Sequence, residues 1–469
     1  MQDRARIAVT AVTSVLLCGL VLTGCQISAD WVSERYPLDR DSSSATPRSN
    51  SLPVGTASPS SSAPTSRSSS ATRPDRSFAP AVGIYVVADH TDPGGFERDL
   101  TEVVASGSTW IRMGIPSWVT GRIHKGTFVP NEQSVTFYVD AVKRAKGAGL
   151  KIAFIQANAL NSASWTDDQF LDYNTQYWEY ISMRFGQYVD LWQVFNEHDA
   201  SDFRNHSAIG TSGGFPAGYL DRLRSALMAA RTALRTHSDA PITSPPLGYP
   251  INADRYARWE TFFDALSPAL DVISVHAYPG SSPRSIALVA TYLKRLKERY
   301  GKPVAVTELG VPSVSSSGTD DTIGTAIARQ IEVIASTDPL CAIVYQLRDR
   351  GTSTSDSEQM FGLVRNDFTR KPYFQTVANE IKQHNLAVSV SGLSRDSAKL
   401  TWTGVAGSTG YVIGRDGRNL AGHGPWSTTD PARARSRVFS GLRADTEYTF
   451  TVQAIPSNVT REITARTTS

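Results

Sequence analysis

The chain has 469 residues, 40% of them hydrophobic and 19% charged, with a formal net charge of +3. That length suggests about two to three domains. The charge is too small to argue for nucleic acid, and no basic stripe with interleaved aromatics occurs, so nucleic-acid recognition is set aside.

The chain opens on a targeting segment. Arg4 and Arg6 precede an apolar run from Ile7 to Leu22, too short and too weakly flanked for a permanent span. The run ends in Leu22-Thr23-Gly24-Cys25. This order resembles the bacterial lipobox, in which the cysteine is lipidated and becomes the new N-terminus. The resemblance implies a signal peptide over 1–24 and a lipid on Cys25, which anchors a protein without a transmembrane helix. The mature protein is then expected outside the cytoplasm, held at the cell membrane. The other reading is an ordinary signal-peptidase site with an incidental cysteine. Of the three cysteines, Cys18 lies in the leader and Cys25 at the anchor, so only Cys341 remains for the folded part and no disulfide is available there. Cys341 starts an apolar run and is expected to be a small buried hydrophobe.

Residues 25–78 read as a disordered tether. From Asp41 to about Arg76 the chain is dominated by Ser, Thr, Pro and Arg, and such a segment buries too little apolar surface to offset its ordering entropy.

Between 79 and 384 short β-rich runs alternate with longer amphipathic ones. The predicted strands are VGIYVV (82–87), STWIRMG (108–114), LKIAFIQA (150–157), VDLWQVF (189–195), PITSPPL (241–247), DVISVHAY (271–278), PVAVTEL (303–309) and AIVYQLR (342–348). Helical periodicity is clear in VTFYVDAVKRAKGAG, QFLDYNTQYWEYISMRFG, YLDRLRSALMAARTALRT and IALVATYLKRLKERYG, with YFQTVANEIKQH as the last helix. Eight strand–helix units predict an α/β fold, a (β/α)₈ TIM barrel. The alternative, an open doubly wound sheet, lacks support because no glycine-rich loop follows VGIYVVADH.

Residues 385–469 show period-two alternation with Gly/Asp turns and no helical stretch, which predicts a small all-β sandwich. Trp402, with Leu442 and Tyr448 in GLRADTEYTFTVQA, resembles the core markers of a fibronectin type III domain, an immunoglobulin-like sandwich. Their expected role is packing and that of the unit is a spacer, with carbohydrate binding as the lesser alternative.

In a parallel barrel the active site forms at the C-terminal ends of the strands. There the sequence places Asp89 and His90 (first strand), Arg112 (second), Gln156 and Asn158 (third), Asn196-Glu197 (fourth), His276 and Tyr278 (sixth) and Glu308 (seventh). Two carboxylates facing each other across a barrel mouth suit glycoside hydrolysis, where one carboxyl gives a proton to the leaving oxygen and the other attacks the anomeric carbon. The alternative is that each glutamate only caps a strand or pairs with a basic neighbour.

The set Arg112, Asn196-Glu197, His276-x-Tyr278 and Glu308 resembles glycoside hydrolase clan A, the retaining barrel glycosidases that include the family-five cellulases and mannanases. The resemblance covers roughly residues 80–384. It implies Glu197 as acid/base and Glu308 as nucleophile. It further implies that Asn196 holds the sugar 2-hydroxyl, that Tyr278 hydrogen-bonds the nucleophile, that Arg112 keeps it ionised and that His276 orients the site. Two departures stand out. The common Asn-Glu-Pro is here Asn196-Glu197-His198, and the eighth strand carries Tyr345, Gln346 and Arg348 where many clan members carry a tryptophan. Asn158 and Tyr345 are further candidates for sugar contact. Trp118 and Trp165, just beyond the second and third strands, are candidates for stacking on sugar rings or for plugging loops onto the barrel. His198, Asp199 and His206 fit no zinc spacing, and clan A chemistry needs neither metal nor cofactor.

The favoured reading is therefore a lipid-anchored, monomeric, retaining glycosidase acting on an extracellular or cell-wall polysaccharide. The rival is a noncatalytic carbohydrate-binding or adhesive lipoprotein on the same scaffold.

Overall fold

The computed structural model describes residues 81–156, 159–162, 164–204, 207–210, 213–386, 388–402, 410–419, 435–455 and 460–469. The leader, Cys25 and the tether lie outside the described residues, as do Asn158 and His206. No helix among the described residues is long and apolar enough to cross a membrane.

Strands and helices alternate from the first described residues. They are β1 Val82–Tyr85, α1 Pro93–Ala105, β2 Trp110–Gly114, α2 Glu132–Gly147, β3 Lys151–Gln156, α3 Asp167–Phe185, β4 Leu191–Val194 and α4 Tyr219–Leu234. The second half follows as β5 Ile242–Thr243, α5 Ala253–Leu266, β6 Ile273–Ala277, α6 Pro283–Tyr300, β7 Val304–Leu309, α7 Asp320–Ala335, β8 Ala342–Val344 and α8 Phe374–Asn385. The helices start where the sequence offers caps. Thr166 and Gln169 form a capping box on α3, and the side chains of Asn131, Asn252, Ser282 and Thr319 each accept a backbone N–H of the helix they precede. In α6 the buried residues Ile286, Val289, Leu293 and Leu296 recur every three or four positions, so one stripe faces the sheet.

All strand pairings in the eight-stranded sheet are parallel, in the order β5-β4-β3-β2-β1-β8-β7-β6. The two outer strands of that order also meet. Val272 N–H donates to Ile242 O (3.2 Å), His276 N–H to Pro246 O (3.1 Å) and Tyr278 N–H to Gly248 O (3.0 Å), which closes the ring. Gly248 is needed there, because a Cβ would stand 1.6 Å from the His276 carbonyl oxygen. The chain ends of the barrel are tied as well: the Asn385 side chain accepts from Val82 N–H (2.9 Å) and donates to Val82 O (2.8 Å).

Several strands are shorter than their sequence suggests. PITSPPL contributes only Ile242–Thr243, because Pro245 and Pro246 have no N–H to give a ladder. AIVYQLR is strand only over Ala342–Val344. One element went unread, a hairpin of Gly121–His124 and Thr127–Pro130 after β2. Its turn residues Lys125 and Gly126 both have positive φ (50° and 79°), as a tight hairpin turn requires, but Lys-Gly is a weak signal for it.

Beyond α8 the chain is all β. A three-stranded sheet (Val388–Ser391, Ser397–Trp402, Arg435–Ser440) and a four-stranded one (Gly410–Arg415, Arg418–Asn419, Glu447–Ile455, Thr460–Arg466) share one core that includes Val390, Leu400, Trp402, Ile413, Phe439, Leu442, Phe450 and Val452. Two sheets around one core make a sandwich. Tyr448 packs against that core, and its hydroxyl accepts the Arg443 N–H (2.8 Å).

Candidate active site

The polar side chains gather at the C-terminal ends of the barrel strands. Glu308, in β7, is almost wholly buried and Arg112, in β2, entirely so. Arg112 uses every branch of its guanidinium. Nη1 pairs with Glu308 Oε1 at 2.8 Å, Nε donates to Gln193 Oε1 at 2.8 Å, and Nη2 donates to Asn196 Oδ1 at 3.1 Å. Its flat face lies over the Tyr85 ring, 4.8 Å from the centroid. The Tyr278 hydroxyl donates to Glu308 Oε2 in a short hydrogen bond. Burial alone pushes the Glu308 carboxyl up, but His276, Arg112 and Tyr278 outweigh it and hold the group below its ordinary value. Glu308 is thus kept ionised in a dry place.

Glu197 follows β4 through a sharp change of backbone direction. Phe195 and Glu197 have φ of 68° and 57°, a conformation that non-glycine residues seldom take. The turn is held by Phe195 N–H on Gln156 O (2.7 Å) and Glu197 N–H on Pro245 O (3.1 Å). His276 Nδ1 lies 2.8 Å from Glu197 Oε1 and 3.3 Å from Glu308 Oε2, so one ring nitrogen stands between the two carboxyls. Oxygens of the two glutamates and a ring nitrogen of His276 all lie within 4.8 Å of one another. Two carboxylates and an imidazole are also a donor set for a metal. Here Arg112 and Tyr278 already occupy Glu308, so the positive charge it faces comes from the protein. Asn196 accepts at Oδ1 from both Arg112 and Gln193 Nε2 (3.1 Å for each), which fixes its amide orientation and leaves its NH₂ to meet a ligand.

Of the residues singled out from sequence, Arg112, Asn196, Glu197, His276, Tyr278, Glu308 and Tyr345 are brought together. Tyr345 directly follows β8, buried, with its ring 5.3 Å from Tyr85 in a stack and 6.4 Å from Tyr278 edge-on. Among the described residues, no hydrogen bond or ring contact links Trp118 or Trp165 to this cluster. Trp118 is 68% exposed on a short helix after β2. Trp165 packs edge-on against Tyr173 at 4.9 Å, and its carbonyl accepts from Arg204 (3.0 Å). Gln156 donates to Ile115 O (3.0 Å) and accepts from the Tyr177 hydroxyl, a packing role. Asp89 accepts the Thr91 N–H (2.8 Å) in a local turn. Cys341 is buried and its thiol pushed up to about 12 by burial.

Sequence reading passed over Gln193 and Tyr85, and weighed Asp199 only as a metal ligand. Gln193 had a signal, being a polar residue inside an otherwise apolar strand, where a buried amide needs partners. Asp199 is fully buried. It accepts the Leu247 N–H (2.6 Å) and pairs with Arg255 at 3.1 Å, and Arg258 ties down the following loop by donating to Gly210 O (2.9 Å) and Gly213 O (2.8 Å).

The molecule is thus an eight-stranded parallel barrel with an acid pair at its mouth, one carboxylate ion-paired and dry, the other more open. Residues 226–366 match the family model described as "Glycosyl hydrolase catalytic core", a stretch that contains His276, Tyr278, Glu308 and Tyr345. No curated protein matches the chain. Among solved structures it is similar to a family 39 glycoside hydrolase from the gut symbiont Bacteroides cellulosilyticus WH2 (18% identity, 81% of this chain and 71% of that one, TM-score 0.51). It is also similar to GH5_18 from Streptomyces cattleya in complex with GlcNAc (14% identity, 66% and 81%, TM-score 0.50) and to the family 1 β-glucosidase from Thermotoga maritima (16% identity, 63% and 87%, TM-score 0.50). At these identities the likeness is one of fold. Together with the family match it supports a glycoside hydrolase.

Proposed function

We propose that the protein is a retaining glycoside hydrolase in which Glu308 is the nucleophile and Glu197 the acid/base. The observation that carries the reading is the separation of the two carboxyls, with oxygens within 4.8 Å of one another. Retaining enzymes hold their pair about 5–5.5 Å apart for direct attack, whereas inverting ones leave about 6.5–9.5 Å for a water. At that distance and an effective dielectric near 20, two ionised carboxylates repel by about 3 kcal/mol. They do not both ionise easily at neutral pH. Arg112 and Tyr278 favour the charge on Glu308, which leaves the proton with Glu197.

In the first step Glu308 attacks the anomeric carbon as the bond to the leaving oxygen breaks, and that oxygen takes the Glu197 proton. Glu308 is then an ester, the repulsion is gone, and Glu197 removes a proton from water. The resulting hydroxide equivalent attacks the same carbon and frees Glu308. The Asn196 NH₂ is the group in reach of the sugar 2-hydroxyl. The substrate is a polysaccharide or oligosaccharide outside the cell, the anchor is the lipid on Cys25, and the C-terminal sandwich is a fibronectin type III spacer. The Tyr448 hydroxyl bonded to backbone five residues upstream supports that last identity.

Single-residue variants test the roles. Glu308→Ala is expected to lose hydrolysis of every substrate. Glu197→Ala should still turn over aryl glycosides with activated leaving groups, accelerated by azide to a glycosyl azide of retained configuration. The opposite rescue pattern reverses the two roles. A wild-type protein inert on a broad glycan panel, wall polymers included, points to the noncatalytic reading.

A further inference from the structure

One cation at the barrel mouth is left out of the mechanism. Arg350 follows β8 by six residues and is solvent-exposed. Its guanidinium lies 5.4 Å from the centre of the Tyr345 ring, the ring that stacks on Tyr85 and meets Tyr278, whose hydroxyl bonds Glu308. Arg350 is also close enough to act on the Glu308 charge. Every other guanidinium of this cluster is spoken for: Arg112 is ion-paired, and Arg348 pairs with Asp99 at 3.1 Å on the outer side of the same segment. Arg350 forms no ion pair with any described residue. Its backbone N–H donates to Gln359 O (3.0 Å) and its Nε to Gln346 Oε1 (3.4 Å), while both terminal nitrogens make no hydrogen bond among the described residues.

An arginine held at its backbone and Nε, with its two-pronged end facing solvent beside the reacting carboxylates, is built to receive a planar or tetrahedral oxyanion. The surroundings sharpen this. The position is next to Tyr345, a candidate for sugar contact whose ring meets that of Tyr278 beside Glu308, so a group on the bound sugar or its neighbour falls within reach of Arg350. Glu308 and Glu358 act on Arg350 only at a distance, so a purely neutral glycan would dry this guanidinium without giving its terminal nitrogens a charged partner, which costs binding energy. An anionic sugar turns the same cost into a charge-assisted contact.

We infer that Arg350 is a specificity-determining residue that reads an anionic substituent, a uronic-acid carboxylate or a sulfate ester, on the sugar beside the cleaved bond. This rests on the glycosidase reading for the cleavage and on Arg350 alone for the charge preference.

The test uses the full chain and Arg350→Met and Arg350→Lys variants. Hydrolysis is followed on neutral polymers (β-1,3-glucan, mannan, xylan) and anionic ones (alginate, polygalacturonate, hyaluronan, chondroitin sulfate). Binding of short oligosaccharides of both kinds is measured in parallel by calorimetry, at low and at moderate salt. The expected result is preference for an anionic member, with Arg350→Met losing about 30- to 100-fold in kcat/KM on it and under about threefold on any neutral glycan cleaved. Arg350→Lys should recover part of the loss. Carboxylate and sulfate members separate the two sources of the charge. Equal losses on neutral and anionic substrates make Arg350 a group that serves Glu308 instead, and overturn the inference. Cleavage confined to neutral glycans overturns it too while leaving the glycosidase reading intact. Anionic oligosaccharides bound through Arg350 without any cleavage uphold the inference and defeat the glycosidase reading. Neither binding nor cleavage overturns both.

Discussion

In the proposed mechanism the charge on Glu308 is the quantity on which the site turns. As nucleophile it must be ionised to attack; burial opposes that, while His276, Arg112 and Tyr278 favour it and prevail. Because its carboxyl is held below the ordinary value, activity persists as pH falls until that lowered value is reached, and is lost below it. Removing one of the favourable partners raises the value, so the acid limb must move up. Tyr278→Phe deletes a hydrogen bond to a charged group, worth about 1.5–3 kcal/mol, and one pH unit corresponds to about 1.4 kcal/mol. The acid limb of kcat/KM is expected to rise by about one to two pH units, read from a pH–rate profile, and an unmoved limb assigns the ionisation to Arg112 and His276 alone. At this scale the sequence was legible wherever a polar residue interrupts an apolar strand end, as with Glu197, His276 and Glu308. It was not legible for Tyr85, an aromatic in a strand that reads as core until Arg112 is seen lying across it.

Among the elements, the segment after β4 decides how Glu197 is aimed. A glutamate at φ 57° holds that conformation only if its surroundings fix it. The fixing comes from outside the segment: Arg258 on α5 grips the carbonyls of Gly210 and Gly213, and the Tyr219 hydroxyl at the start of α4 donates to His198 O (2.6 Å) and Ser201 O (3.1 Å). Arg258→Met removes the cation and leaves those carbonyls without their donor. About 1–3 kcal/mol of stability should go with it, measured by urea denaturation. The same variant should lose about tenfold in kcat with little change in KM, since a misaimed acid costs the transition state rather than binding. Unchanged kcat shows that Tyr219 alone suffices. None of this was readable from the sequence, because composition gives a long loop no conformation. Strand and helix succession was readable, since amphipathic stripes such as that of α6 are local. The strand predicted over PITSPPL is longer than β5, because Pro245 and Pro246 lack the N–H groups a ladder needs.

For the whole molecule, the barrel and the sandwich have separate buried cores, one over the barrel elements and one centred on Trp402, Leu400 and Phe450. Separate cores predict separable unfolding. Trp402→Ala empties the middle of the smaller core and should cost that unit about 3–5 kcal/mol, lowering one calorimetric transition while the other stays, with activity on small glycosides unchanged. A single transition that moves as a whole denies the division. In the sequence, alternation replaces helical spacing after Asn385, the residue at which α8 ends. At the other end, Cys25→Ser should shift the protein from the membrane fraction to the soluble one; equal retention in the membrane refutes the lipid anchor. The reaction itself is tested most directly by its stereochemistry. An NMR time course of hydrolysis should show the anomer of retained configuration first, the outcome that carboxyl oxygens within 4.8 Å of each other favour. The inverted anomer appearing first would contradict the double displacement through Glu308.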